Sequence, residues 1–336
     1  MINELRARLG WRQLLTAALS SLLLVSLLLT QMQDWGEIVA TVQRVRLPAL
    51  TLAFALYVLL SLVRAWRFRP LLPGQGTSFL AVWNVTCIHT LANYVLPART
   101  GELTYIALLR AQRVPLADGL ASLGLARLLD LVALAAWVLG TASLTFGRQM
   151  HVEQLQLAAI PLGLATLALA YWADRLADRG ARLGQWAAGR LRVDGLAPVR
   201  AGLALAERTA GALRLARARR LYWPALALSL AQWLVNFGLY YVLLNELGAT
   251  VDLGGAIIAS AIASLLVVLP IQGLIGFGTY EAAWTVALLP LGIEHSMAIA
   301  VSFGIHILLL ALSLLLAMLS ATVTTFARLI HRHDLA

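Results

Sequence analysis

The chain has no lysine, so its cations are arginines, with six histidines besides. It has a single cysteine, Cys87, which excludes an internal disulfide. Charge of either sign is scarce, at 12% of 336 residues against ~25% in ordinary globular domains. No G-x-x-x-x-G-K-[ST] occurs, so the chain is not expected to be a P-loop ATPase. H-E-x-x-H and G-x-S-x-G are absent too, and no serine stands in an evident nucleophile context. The formal charge of +10 arises from short arginine clusters between apolar runs, without the aromatic-plus-basic motifs of nucleic-acid modules. No nucleic-acid partner is therefore expected, and the pattern reads as membrane topology and contact with anionic lipid headgroups.

What fills the chain is apolar residue, 60% of the total, at a mean hydropathy of +0.80. That composition indicates an all-α polytopic membrane protein. Six stretches have about the ~17–25 residues a helix needs to cross: 13–30, 47–63, 119–142, 155–172, 221–244 and 297–326. The first follows Arg6, Arg8 and Arg12 and could pass for a signal peptide. It is long for one and has no A-x-A-like site after it, so we expect a retained span. Two further apolar regions, 79–110 and 255–293, are interrupted by Pro and Gly. Such interruptions point to broken or re-entrant helical hairpins, tolerated only where protein or water satisfies the freed backbone.

Arginine placement supports this layout through the positive-inside rule. Arg6, Arg8 and Arg12 set the N-terminus in the cytoplasm; Arg64, Arg67 and Arg69 then follow the second span, and Arg110 and Arg113 the first hairpin, both inside. Residues 174–220 hold eleven Arg against Asp174, Asp178, Asp194 and Glu207, as a cytoplasmic insert should. Glu246, Asp252, Glu294 and His295 fall outside, and Arg328 and Arg332 return the C-terminus inside. Arg44 and Arg46 are the awkward pair. The expected location is the plasma membrane, the bacterial inner membrane.

Residues 1–154 read as span, span, hairpin from inside, span; residues 155–336 repeat this with the hairpin from outside. That is an inverted-topology repeat, and paired Gly/Pro-interrupted segments in its two halves are the best sequence pointer to a transport site. Both interruptions run Leu-Pro to Gly to Glu. The first is Leu96-Pro97 to Gly101-Glu102; the second is Leu269-Pro270 through Gly273, Gly276 and Gly278 to Glu281. In the basic insert, Leu196, Val199, Leu203, Ala206, Ala210 and Leu213 line one helical face. Leu176, Leu183, Trp186 and Leu191 suggest an amphipathic helix before it. The pair is either a solvated or bundle-packed hairpin or a membrane-surface element.

Arg99, Glu102, Arg127, Asp130 and Glu281 fall in apolar regions, where a mid-bilayer charge costs ~2.5–3.5 kcal/mol on insertion scales. They must pair, neutralise or face water. Arg127 and Asp130 share a helix face, as do Arg99 and Glu102 if the chain after Pro97 is helical. Two arginines against three carboxylates leave one carboxylate without an arginine, free to take a proton, a cation or a cationic ligand. The Arg127–Asp130 pair suits a structural role and a site equally. Arg99 and Glu102, beside a helix break whose backbone donors suit an anion, point to function. Asn93, Gln272 and Thr279 add hydrogen-bonding groups. Asn84, His89, Gln232, Asn236 and His306 read as interhelical glue. The histidines lack metal-ligand spacing, so neither metal nor cofactor is expected.

Three stretches carry a resemblance. N-Y-V-L-P-A-R-T-G-E-L-T-Y-I-A-L-L-R at 93–110, R-L-L-D-L-V-A-L at 127–134 and L-P-I-Q-G-L-I-G-F-G-T-Y-E at 269–281 resemble the lysylphosphatidylglycerol synthase transmembrane-region family. The resemblance covers nearly the whole chain. It implies a polytopic helical fold with two re-entrant segments and a role in moving or handling lipids. It marks Asn93, Pro97, Arg99, Gly101, Glu102, Arg127, Asp130, Gly276, Gly278 and Glu281. Ala98 replaces a frequent Gly, Ala126 a frequent Glu, and Leu274-Ile275 a frequent Pro-Gly, with the Pro-to-Glu spacing one residue longer.

The expected function is translocation of a phospholipid or polyprenyl-phosphate-type lipid through a polar site between the two hairpins, meeting near the midplane. Arg99 and Arg127 would attract the lipid phosphate, and Glu281 or Glu102 would take up a proton. The alternatives are a non-catalytic subunit serving a membrane enzyme of lipid modification or glycan assembly, and an intramembrane enzyme. The aminoacyl transfer in the family's title resides in a separate soluble domain, which is expected to be absent here.

Overall fold

Within lipid no water is at hand for exposed backbone groups, so an apolar chain spans as helix. The computed structural model describes residues 36–72, 77–96, 100–144, 152–267 and 274–333, with Leu22, Ser26 and Thr30 before them. Among the described residues it is helical, with no strand. Apart from those three positions, the expected crossing at 13–30 lies outside the described residues. So do Pro97, Arg99, Pro270, Gln272 and Gly273.

In chain order the helices are α1 (Gly36–Gln43), α2 (Leu47–Leu71), α3 (Phe79–Val95), α4 (Gly101–Ala111), α5 (Leu116–Leu144) and α6 (Val152–Tyr171). There follow α7 (Ala173–Arg190), α8 (Ala197–Ala218), α9 (Tyr222–Glu246), α10 (Leu253–Val267), α11 (Thr279–Leu288) and α12 (His295–His333). Among the described residues, four stretches are long and apolar enough to cross a membrane: Leu47–Leu71, Leu116–Thr141, Tyr222–Glu246 and His295–Ala327. The two interrupted regions are each split in two: α3 and α4 have 17 and 11 residues, α10 and α11 have 15 and 10, so that only α3 reaches the lower limit of ~17 for a crossing.

The helix of the second span runs past the expected end of the span at 63: α2 continues through Arg64, Arg67 and Arg69 to Leu71. A hydropathy reading stops at the first charge, but Arg67 is only 2% exposed and has a partner within the protein.

The chain forms two compact units, and both halves of the sequence contribute to each. The first comprises Met1–Leu60, Cys87–Thr104 and Val235–Ala336. In it α11 packs between α10 and α12, and α1 lies on α12. Gly304 lets α12 come close to Leu247: an added Cβ would stand 2.7 Å from Leu247 Cδ2. Arg46, half of the awkward pair, is bound by Glu246: Nη2 reaches Oε1, and Nε donates to Oε2 at 3.1 Å. An opposite charge thus offsets it where the topology rule leaves it out of place.

The second unit comprises Ser61–Thr86 and Tyr105–Leu234. Here α5 packs on α6 and α8, and α7 on α8. Leu125, Leu129 and Leu213 form a core with Leu71, Ala170 and Ala216. Small residues allow close approach, as is usual between membrane helices; a Cβ on Gly163 would stand 3.0 Å from Ala135 Cβ.

Candidate functional site

The first break separates α3 from α4. Gly101 opens α4 hard against the last turns of α3. A Cβ there would lie 2.3 Å from Asn93 Oδ1 and 2.7 Å from the Asn93 backbone N and Cα, so only glycine fits. His89 Nδ1 lies 3.1 Å from the Gly101 carbonyl oxygen, and its Nε2 lies 3.1 Å from Asn93 Nδ2. A carbonyl can only accept, so Nδ1 carries the proton and the neutral ring accepts the Asn93 amide at Nε2. Glu102 Oε2 stands 4.0 Å from that same Nε2. A charged His89 would have Nε2 as a donor turned toward Glu102. Glu102 also occupies the first turn of α4, where the helix dipole favours a carboxylate.

The second break contains a strained turn. Ile275, Gly276 and Gly278 have φ of 56°, 75° and 85°. A β-branched residue in the left-handed region costs ~1–2 kcal/mol. Ile275 stands where the resemblance expects a glycine and keeps a glycine's conformation. Glu281 secures the end of this turn: its Oε2 accepts the Gly278 N–H at 2.7 Å, the carboxylate half of a capping box. Its Oε1 accepts from His306 Nδ1 at 2.6 Å, and both side chains are fully buried.

His306 comes from the middle of α12 and was expected only as glue. Its ring lies 4.6 Å from Tyr280, 4.8 Å from Phe277 and 6.2 Å from Tyr94, centroid to centroid. Nε2 is buried and has no hydrogen-bond partner among the described residues. A Cβ on Gly276 would lie 3.5 Å from that nitrogen and 3.7 Å from the Tyr94 carbonyl oxygen. Tyr94 of the first broken region, Gly276 and Tyr280 of the second, and His306 of α12 therefore meet within one unit. Thr279 opens α11 beside them.

The sequence left Asp130 open to a local partner or one from another helix, and its pairing is with another helix. Asp130, 7% exposed, takes Arg67 of α2: Nη1 donates to Oδ1, and Nη2 to Oδ2 at 3.3 Å. Arg67 Nη1 also donates to Ser229 Oγ at 2.7 Å, and Gln232 Nε2 reaches Asp130 Oδ1 at 3.5 Å. Arg127 is exposed. Positions three apart on a helix differ by ~60° around its axis, enough to set one inward and the other outward. The charge balance changes with it. Arg67 joins the cations set inside the protein, and Glu281 is served by a histidine rather than an arginine.

The family model for the lysylphosphatidylglycerol synthase TM region matches residues 13–317. The chain belongs to that family. No curated protein and no solved structure matches it. As a member of the lysylphosphatidylglycerol synthase TM region family it is an integral membrane protein, and the family is consistent with a lipid-related function. The match spans both broken regions, α5 with Asp130, and α12 with His306. Sequence reasoning did not single out Arg67; His306 and His89, read as interhelical glue, do join helices, His306 to Glu281 of α11 and His89 to the Gly101 carbonyl of α4. For His306 a signal was present: it is an ionisable residue deep inside a 33-residue apolar span, a functional candidate by default. Arg67 had only its position between Trp66 and Phe68 to set it apart from Arg64 and Arg69.

Proposed function

We propose that the protein translocates a phosphate-bearing lipid, a phospholipid or a polyprenyl-phosphate type, through a site built on its two broken helices. The observation that carries this reading is the meeting of Tyr94, Gly276 and Tyr280 around the buried Glu281–His306 pair. Secondary transporters place substrate and coupling-ion sites where discontinuous helices from the two repeats come together. In this reading Arg99 and the backbone N–H groups at the start of α4 attract the phosphate. The coupling proton resides on the Glu281–His306 pair. Nε2 is the open position on the ring, and protonation there makes an imidazolium that Glu281 neutralises. Because Glu281 also holds the Gly278 N–H, a change in that ion pair acts directly on the turn at 275–278. The driving force is a proton gradient or a partner protein, since the chain carries no nucleotide-binding loop.

The test is reconstitution of purified protein into vesicles containing fluorescently tagged phosphatidylglycerol or a tagged short polyprenyl phosphate. Dithionite added outside reports the fraction of tag moved between leaflets. The expected result is faster exchange than in protein-free vesicles, with its response to a pH gradient lost in Glu281→Gln and His306→Gln. Glutamine at 281 still accepts the Gly278 N–H, so the cap survives while the charge is removed. Exchange unchanged by Arg99→Ala combined with Glu281→Gln would reject this site. No exchange above the protein-free rate would reject translocation by the chain alone and favour the accessory-subunit reading.

A further inference from the structure

Helix α7 is amphipathic in the reverse sense of a soluble helix. Asp174, Ala181 and Ala188 line its buried side, and Gly184 meets Leu203 of α8 closely enough that an added Cβ would stand 3.1 Å from Leu203 Cδ2. Turning at ~100° per residue, the opposite side carries Leu176, Leu183 and Trp186, continuing the line of Trp172 just before the helix. These are 42%, 64%, 68% and 45% exposed. Arg175, Arg179, Arg182 and Arg190 are exposed toward the same side. Three of the insert's four acids are committed elsewhere, and the fourth, Asp194, lies beyond the end of α7: Asp174 binds Arg217 at 2.7 Å, Asp178 binds Arg214, and Glu207 accepts from Gln185. The outward face of α7 is therefore apolar and cationic, with no anion in it.

The connections of this helix say what covers it. Its N-terminus follows directly on α6, whose described apolar stretch is Ile160–Tyr171, and α8 leads into α9, which is long enough to cross. Tyr171, Trp172 and Trp223, the last 70% exposed, mark these two junctions as an aromatic belt marks the headgroup level. Arg217 ties the first junction, donating to the Tyr171 carbonyl and lying 4.5 Å over its ring. A polyanion such as nucleic acid would need the arginines alone. Leucines and tryptophans interleaved with them need an apolar layer beneath a negative surface.

We propose that the outward face of α7 binds the surface of an anionic phospholipid bilayer. Trp172, Leu176, Leu183 and Trp186 enter the headgroup–acyl boundary, and Arg175, Arg179, Arg182 and Arg190 hold anionic headgroups. This surface is independent of the broken helices and of the translocation reading. The test uses the full chain with Cys87→Ala, reconstituted in vesicles of phosphatidylcholine with or without phosphatidylglycerol. Trp186→Cys carries an environment-sensitive fluorophore, and Ala204→Cys, on the exposed side of α8, serves as control. The label at 186 is expected to be quenched severalfold more than that at 204 by a nitroxide near the lipid headgroup, and more strongly with phosphatidylglycerol present. That enhancement disappears when the four arginines are changed to glutamine. Equal access of both labels to aqueous iodide in both vesicle types overturns the proposal; it is also the result expected if the face binds a soluble protein or nucleic acid. Quenching at 186 that ignores phosphatidylglycerol, or an enhancement that survives loss of the arginines, overturns the anionic-headgroup assignment.

Discussion

Replacing Asp130 by leucine leaves the Arg67 guanidinium inside the protein without its carboxylate. Arg67 and Asp130 side chains are 3% and 10% exposed, so solvent screens the pair little. Removing one partner of a buried pair costs ~3–5 kcal/mol, because the other charge stays buried and uncompensated. Arg67 Nη1 keeps Ser229 at 2.7 Å, which places the expected loss near the lower end, about 3 kcal/mol. That is about a hundredfold in the folded-to-unfolded ratio. Changing both residues, Arg67→Met with Asp130→Leu, removes the stranded charge and should return stability to within ~1 kcal/mol of the parent, a coupling of ~2 kcal/mol or more. Arg69→Met, at an exposed position of the same helix, should change stability by no more than ~0.5 kcal/mol. The measurement is SDS-induced unfolding of detergent-solubilised protein followed by circular dichroism. A cost below ~1 kcal/mol for Asp130→Leu, or single costs that simply add in the double variant, would refute the pairing as a stabilising unit.

Gly101→Ala should lower stability by ~1–3 kcal/mol, because its methyl group would collide with the Asn93 backbone as well as with its side chain, and only the side chain can swing away. Gly124→Ala, which has no neighbour within 4 Å, should stabilise by up to ~1 kcal/mol in the same SDS-unfolding series; similar losses at both sites would show that the contact with Asn93 is not the cause. Gly276→Ala should cost ~1–2 kcal/mol from its φ of 75° alone, read as a lowered midpoint in the same unfolding measurement.

The helices and their breaks were largely legible because their causes are local. Long apolar runs make spans, and the Pro/Gly clusters near 97–101 and 270–278 interrupt them. Charge pairing was not legible, because it is a property of neighbours that sequence spacing does not reveal. Arg67 and Asp130 are 63 positions apart, and Glu281 and His306 are 25 apart. The i,i+3 spacing of Arg127 and Asp130 offered a nearer pairing that the chain does not use for Asp130. In the basic insert the apolar positions of both helices were visible, but not their destinations. Ala210 and Leu213 of α8 are buried, while Leu183 and Trp186 of α7 face outward.

Composition and periodicity were enough to establish an all-helical membrane chain with two interrupted helices, because hydration cost and backbone hydrogen bonding act residue by residue along a segment. Which carboxylate meets which cation, and which face of α7 is left uncovered, arose only when helices distant in sequence packed together. The energy of a buried charge depends on the atoms that surround it, and those atoms belong to other parts of the chain.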